Sequence, residues 1–547
     1  MPNDAAVGPV PLSVHEGKKT FTRGAGERKP VSWFAIPWLW TNARHLIASG
    51  IAVDDIDSRD WMTPDEPEEL VARVARVLGA DPAAETLAGA LGREVWVDYV
   101  ADTGDDDTVS GAVASLVARR YEVTDESGRL MIAPRGDVLC FGGDTAYPVA
   151  TPDEIRHRLV GPWNAVLAER DDGVPRAILG IPGNHDWNDG LDGFGRLFRH
   201  RQRVDVEERP DAEGLLALHG YEPVQDASYF NLPLAPGIEV WGVDRQLRHV
   251  DHRQRQFFAR TGGRGGSGAR ILMQADPHRV FGLDNAAGRD AVARLGLRLR
   301  DEPHLVLAGD IHQYQRWEDG RSMHVTAGGG GASLHGAAGA RGSGPSHVSK
   351  EFPTAADCKP LLGEAFWRTV TGKAGWFVHV AIGVVTLLFC ALLACPLDRA
   401  GLLAAGGVLL VGAVLGARAA FGPRATFAAL VLGLAIAATP LALGWFYPAP
   451  LLFAGDVVPV LLSAIGAGLL GGTAAAWAVV HLARRGIDNY LAWAALAHPG
   501  FKHFLRLRVR ADGSAIDAWC LGLRDPCAAR EPVVLVDQFT LPAKPAG

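Results

Sequence analysis

Cysteine is scarce: 6 in 547 residues, at positions 140, 358, 390, 395, 520 and 527, with no C-x-x-C pair. That scatter excludes a zinc ribbon and a disulfide framework, and reduced thiols are the expectation. A large charge excess is also missing, since 54 Lys plus Arg stand against 61 Asp plus Glu, for a net charge of −7. A broad basic surface is therefore not expected, and with it no nucleic-acid partner. The first thirty residues are polar and Gly-rich without an apolar run, so no signal peptide is expected. The abundance of glycine (65) and of hydrophobic residues (48%) sits mostly late in the chain, so the averages conceal two kinds of segment.

Residues 1–92 read as a helical and extended region without chemistry. Trp33 to Ile47 is aromatic-rich but interrupted by Pro37 and Arg44, which suits a surface-packing helix better than a membrane span. Thr63-Pro64-Asp65-Glu66 has the form of an N-cap, a first-turn proline and first-turn acids. The helix it would open carries Leu70, Val71, Val74 and Leu78 on one face.

Residues 93–350 change character. Apolar, strand-like runs alternate with polar or helical stretches, as α/β layering requires. Strands are expected at Val95–Val100, Val138–Phe141, Arg176–Gly180, Ile238–Val243, Ile271–Met273, His304–Ala308 and Met323–Thr326. Their ends carry Asp102, Asp144, Asn184, Asp244, Asp276, and then Asp310 with His312; the last run ends in four glycines, 328–331. Ligand sites of open α/β sheets lie beyond the carboxyl ends of the strands. A lone Asp after a strand is usually a turn former, but Asp102, Asp144, Asn184 and His312 all adjoin glycine turns, which points to one polar crevice. Oxygen donors with a few imidazoles suit Mn, Fe or Zn, and such crowded carboxylates call for a cation. In Gly183-Asn184-His185-Asp186, Asn184 offers an amide oxygen and His185 an acid or charge stabiliser, with Asp186 placed to orient it.

The motifs ADTGD (101–105), GGDTAYP (142–148), IPGNHDW (181–187) and GDIHQY (309–314) come in that order. Together they resemble the calcineurin-like metallophosphoesterase superfamily. The Gly-Asp-x-x-Tyr form is similar to its purple-acid-phosphatase variant, and a membrane-attached subgroup reading GGDLAYP and GDMHHY is more similar still. The resemblance covers about Val95 to Leu334. It implies a four-layer α/β-β/α sandwich that hydrolyses a phosphomonoester or phosphodiester. It further implies one metal on Asp102, Tyr147 and His312, Asp144 bridging to a second metal, Asn184 and Asp310 on that second metal, and His185 with Asp186 as catalytic groups. Two such cations would clamp a phosphate and activate water.

One departure stands out. Where the superfamily has a metal-binding His, this chain has Ala275, with Asp276 or His278 as stand-ins. A degraded second site would make the alternative a weakly active or non-catalytic membrane sensor. Asp105 is expected as a turn residue or a group behind the metal, His335 as a substrate contact or a surface histidine, and Trp187 as packing. The Gly-rich stretches 261–270 and 336–346 are expected to be flexible loops.

Residues 376–483 read as four transmembrane helices: Trp376 to Leu397, Gly401 to Ala417, Ala425 to about Tyr447 and Val457 to about Ala483. Arg368, Lys373, Arg418, Arg424, Arg484 and Arg485 flank one side, so a multi-pass membrane protein with its crevice in the cytoplasm is expected. The lipid bilayer and a phosphate ester are the expected partners. Residues 486–547 read as a β-hairpin, Phe504–Arg510 returning as Ile516–Leu523, that packs on the domain at 93–350. Its alternating arginines suit a half-buried strand, or a basic strip touching anionic lipid.

Overall fold

A computed structural model describes residues 9–13, 20–36, 57–200, 216–245, 249–262, 268–280, 283–336, 348–393, 399–446, 458–487 and 490–543, with positions 40, 43 and 47. Most of the helix expected at 33–47, half of the Gly-rich loop at 261–270 and most of that at 336–346 lie outside the described residues.

The architecture is mixed α/β with two seven-stranded sheets. The first runs β18 (Val534–Pro542), β17 (Ala515–Leu523), β16 (Lys502–Val509), β1 (Val95–Val100), β4 (Val138–Phe141), β5 (Arg176–Gly180), β6 (Tyr221–Pro223). The second runs β15 (Val348–Phe352), β13 (Tyr314–Asp319), β14 (Ser322–Ala327), β12 (His304–Ala308), β9 (Arg270–Gln274), β8 (Ile238–Val243), β7 (Phe230–Ala235). Two small hairpins, β2 (Tyr121–Thr124) with β3 (Leu130–Ala133) and β10 (Arg279–Val280) with β11 (Leu283–Asp284), stand apart. Strands β1, β4 and β5 are parallel, as are β8, β9, β12 and β14, so their carboxyl ends share a rim in each sheet.

Period two explains how the sheets pack. Alternate residues Val97, Tyr99, Cys140 and Leu179 meet Val240, Met273, Leu305 and Leu307 of the other sheet in one core. Their neighbours Trp96, Val100, Leu139 and Phe141 join the apolar side of the helices Asp107–Val117 and Gly161–Glu169. The strands are buried on both faces, which is why they read as continuous apolar runs.

The C-terminal strand is also buried on both faces. β16 pairs antiparallel with β1, and Arg506, fully buried, donates to both oxygens of Asp98 (2.7 and 2.9 Å). Arg508 and Arg510 pair with Asp517. The lipid-facing basic strip is therefore overturned, because these guanidinia have carboxylate partners inside the protein. The helix near Thr63 starts later than expected, at Pro67 with Glu66 as cap. Asp65 does not cap it. Its carboxylate accepts from Arg73 (2.8 Å) and from the Asp226 amide (3.0 Å), and Pro67 holds Glu66 extended.

Among the described residues, three helices are long and apolar enough to cross a membrane: Ala400–Phe421, Pro423–Phe446 and Val458–Arg484. The helix at the first expected span, Phe377–Leu393, has 17 residues and is shorter than those three; residues 394–398 lie outside the described set. It packs along Val458–Arg484, where Gly468 comes so near the His379 carbonyl that a Cβ would stand 2.9 Å from it.

Candidate functional site

The crevice is built where β1, β4, β5 and β12 end. Asp102, Asp144 and Asp310 each sit just past a strand with φ of 58°, 52° and 65°. The left-handed region is uncommon for residues with a side chain, although Asp tolerates it better than most, and such conformations concentrate at functional sites. Here the kink turns each carboxylate to the rim. Room for them comes from glycine: a Cβ on Gly183 would stand 2.1 Å from an Asp144 oxygen, and one on Gly309 2.5 Å from Asp102. Gly183 itself has φ −99°, so it is needed for close approach rather than for a reversed backbone.

Asp102, Asp144, Tyr147 and His312 meet. The Tyr147 hydroxyl lies 3.0 Å from Asp102 Oδ1, 3.5 Å from Asp144 Oδ2 and 3.1 Å from His312 Nε2. His312 Nδ1 lies 2.6 Å from the Ser333 carbonyl, so Nδ1 carries the proton and Nε2 faces the crevice as a lone pair. Asp310 turns its backbone toward Asp102, and its amide donates to both Asp102 oxygens (3.1 and 3.0 Å). Burial pushes Asp102 well above the usual carboxylate range, and the charges of Asp144 and Asp310 push it further. Burial does the same for Asp144, reinforced by Asp186. His312 is held well below the usual imidazole value by burial and by His335.

His185 lies on the same rim with its ring centroid 4.4 Å from that of Tyr147 and 6.0 Å from that of Trp33. Its orienting partner is not Asp186. The ring Nδ1 is 2.5 Å from the Pro148 carbonyl, leaving Nε2 for the crevice. Asp186 instead accepts from the amides of Asp144 (2.8 Å), Gly183 (2.8 Å) and Thr145 (3.3 Å) and from the Thr145 hydroxyl. It staples the turn after β5 to the turn after β4, and it reaches His185 only through its charge. Asn184 is half-buried at the start of the one-turn helix that carries His185.

Behind these groups stand four more residues. Asp105 accepts from the Val31 amide (2.7 Å) and the Ser333 amide (3.1 Å), and burial raises it to about 6. His335 stacks on His312 at 4.0 Å and accepts from its amide, and it is half-buried rather than a free surface histidine. Trp187 is buried and donates to Asp244 (2.9 Å). Lys502, which sequence reasoning missed, is fully buried, donates to the Ala332 carbonyl and is lowered to about 8 by burial. The charges of Asp105 and Asp102 oppose that fall. Its signal lay in Lys502-His503 inside an apolar strand, a cation that has to face an anion once buried.

At the second expected metal position the stand-ins are otherwise engaged. Asp276 accepts from Arg245 at 2.7 Å. His278 packs near His324 (5.0 Å) and Trp317 (5.8 Å), away from the crevice.

Among the described residues, no three His, Cys, Asp or Glu side chains stand together as a ready metal cage. The donor chemistry nevertheless fits one cation. Three acceptors, Asp102 Oδ1, Asp144 Oδ2 and His312 Nε2, face a single phenolic proton, and a hydroxyl can give that proton to one of them. A positive charge at that point would answer all three and lower the raised carboxyls.

No family model matches the chain, and no curated protein does. Among solved structures the chain is similar to "GAP50 the anchor in the inner membrane complex of Plasmodium", at 9% identity over 47% of this chain and 78% of that one, with a TM-score of 0.29. It is also similar to "Structure of PhoD", at 10% identity over 44% of this chain and 58% of that one, with a TM-score of 0.27. Superpositions this partial decide neither fold nor activity.

Proposed function

We propose that the protein is a membrane-anchored, metal-dependent phosphoesterase of the calcineurin-like type, with its hydrolytic site at the rim of two facing sheets. The observation that carries this is the shared phenolic proton of Tyr147 among Asp102, Asp144 and His312, beside the outward Nε2 of His185. Asp102, Asp144, Tyr147 and His312 would hold a divalent cation, with Asn184 and Asp310 at its edge. When bound, such a cation supplies charge for the phosphate and acidity for water. The chain's own part is to fix geometry. Asp186 locks the two turns, and the Pro148 carbonyl holds the Nδ1 proton of His185, so Nε2 faces the crevice as a lone pair that takes up a proton from water and, as the imidazolium, returns it to the leaving oxygen.

One specific observation favours a single cation over two. Arg245 pairs with Asp276 at 2.7 Å next to Ala275, so the carboxylate that would stand in for the missing histidine already has a cation beside it.

Membrane anchoring has its own support. β1 precedes the apolar helices and β16 follows them, yet the two strands are hydrogen-bonded neighbours. Both therefore lie on one side of any bilayer, and an even number of crossings separates them. The three long apolar helices among the described residues make an odd number, and our reading adds Phe377–Leu393 as the fourth crossing. At 17 residues it rises about 25 Å, at the lower limit for a hydrocarbon core. The flanking arginines put that side in the cytoplasm.

The test is metal analysis of the purified full-length protein, followed by an assay on bis-p-nitrophenyl phosphate with added Mn²⁺. Turnover lost in Asp102→Asn and Asp144→Asn supports the reading. No hydrolysis of mono- or diesters with Mn²⁺, Zn²⁺, Fe²⁺ or Mg²⁺ leaves the sensor as the better description.

A further inference from the structure

Two cavities adjoin where the apolar helices meet the sheets. One is a cleft with about 790 Å³ of empty space, lined by Ala417, Phe421, Ala428, Leu432, Ala475 and Val479 among others. Its walls are hydrocarbon, and its one hydroxyl, on Thr369, donates to the Ala365 carbonyl at 2.9 Å. The lining is short in side chains, and alanine on facing helices leaves the gap. The cleft lies at the helix ends that carry Arg418, Arg424 and Arg484.

The other is a recess with about 1500 Å³ of empty space, and its walls include Arg23, Lys29, Arg368 and Lys373. Two acids also line it, Asp106 and Glu364. Asp106 accepts from the Thr108 and Val109 amides as a helix cap (2.9 and 3.2 Å). Two buried donors in the recess have no acceptor among the described residues: Arg368 Nε and His498 Nε2. His498 is 95% buried, and its Nδ1 accepts from the Gly500 amide (3.0 Å), so Nε2 must carry the proton. Burial holds the Arg368 guanidinium below its ordinary value, and Arg23 adds to that. Glu364, one turn before Arg368 on the same helix, opposes that fall, and the four cations of the recess still outnumber its two acids, which suits an anion with several oxygens.

The two cavities are neighbours. Ala495 lines both, the chain neighbours Arg368 and Thr369 line one each, and so do Ser32 and Phe34, two residues apart. Trp367 and Trp376 lie exposed at this level, as aromatic side chains do at a membrane interface. The recess and the crevice are separate. Pro30 and Ser32 face the recess, while Val31 and Trp33 pack with Tyr147 and Ala332 on the other side.

We propose that this two-part cavity binds one anionic phospholipid, its phosphate headgroup on Arg368, Lys373 and His498 and an acyl chain in the alanine-lined cleft. The site is independent of turnover in the crevice.

The full-length protein, delipidated in detergent, would be titrated with dioleoyl phosphatidylglycerol, dioleoyl phosphatidylcholine and inorganic phosphate and followed by native mass spectrometry. One phosphatidylglycerol should be retained about tenfold more tightly than phosphatidylcholine. Arg368→Gln should weaken it about tenfold, the size of one lost charged contact, and Ala475→Phe should do so by filling the cleft. Lys373→Gln serves if Arg368→Gln does not fold. Equal retention of both lipids, or unchanged retention in the folded variants, overturns the proposal in favour of ordinary boundary lipid. Inorganic phosphate held as tightly as phosphatidylglycerol overturns it too, by making the recess a free-anion site.

Discussion

Arg506 and Asp98, 408 residues apart in the chain, form a fully buried bidentate ion pair across the β1–β16 junction. Arg506 also donates to the carbonyls of Val117 and Arg119, so its fork is satisfied on both sides. The pair joins the strand before the membrane helices to the strand after them.

Removing one partner of such a pair leaves a charge with no answer in a dry interior. Arg506→Met should therefore cost about 3–5 kcal/mol of unfolding free energy, while Asp98→Leu combined with Arg506→Met should recover most of it. Denaturant titration of the three proteins measures this. A single-variant cost under about 1 kcal/mol would show that the strands hold together without the pair.

Asp98 was also the clue that the sequence reading passed over. An acid in the middle of Val95–Val100 is not explained by a half-buried strand, and requires a buried cation elsewhere. β1, β4, β5, β8 and β12 were legible because each is an apolar run ending in Gly or Asp. The β16–β1 pairing was not, because no local pattern records a partner 400 residues away. β18 and the hairpins fell below the same threshold. At the crevice, residue types were legible and hydrogen-bond assignments were not. Asp186 follows His185 directly, yet it bonds to backbone amides of two turns, and a carbonyl from Pro148 orients the imidazole. Sequence spacing cannot distinguish those geometries.

If His185 moves a proton rather than holding metal, its removal should separate two readouts. His185→Gln should lower kcat about 10²- to 10⁴-fold on a phosphodiester while metal content stays at the wild-type level. The loss should be smaller on an ester whose leaving group needs no proton. Equal loss on both esters together with lost metal would make His185 a ligand instead.

Asp65 offers a pH test away from the crevice. Burial raises it from 3.8 to about 6, with Arg73 opposing and Asp226 adding to the rise. A carboxyl that binds its proton more tightly when folded contributes stability fully present below about pH 4 and lost as pH rises through 6. The thermal midpoint of Asp65→Asn, measured from pH 4 to 7, should fall less steeply with rising pH than that of the parent. Parallel curves would mean that Asp65 keeps an ordinary pKa.

Arg245 offers a test of the proposed single cation. Its guanidinium holds Asp276 at 2.7 Å, and the Asp276 charge in turn reaches Asp144. In Arg245→Ala that mostly buried carboxylate loses the guanidinium, which should destabilise the metal-free protein. A divalent cation could then bind between Asp276 and Asp144. Added Mn²⁺ should accordingly raise the melting temperature of Arg245→Ala more than that of the parent, and metal analysis should rise toward two ions per chain. If Mn²⁺ shifts both proteins equally and the metal content does not change, the guanidinium is not standing in for a second metal, and the gap at Ala275 has another explanation.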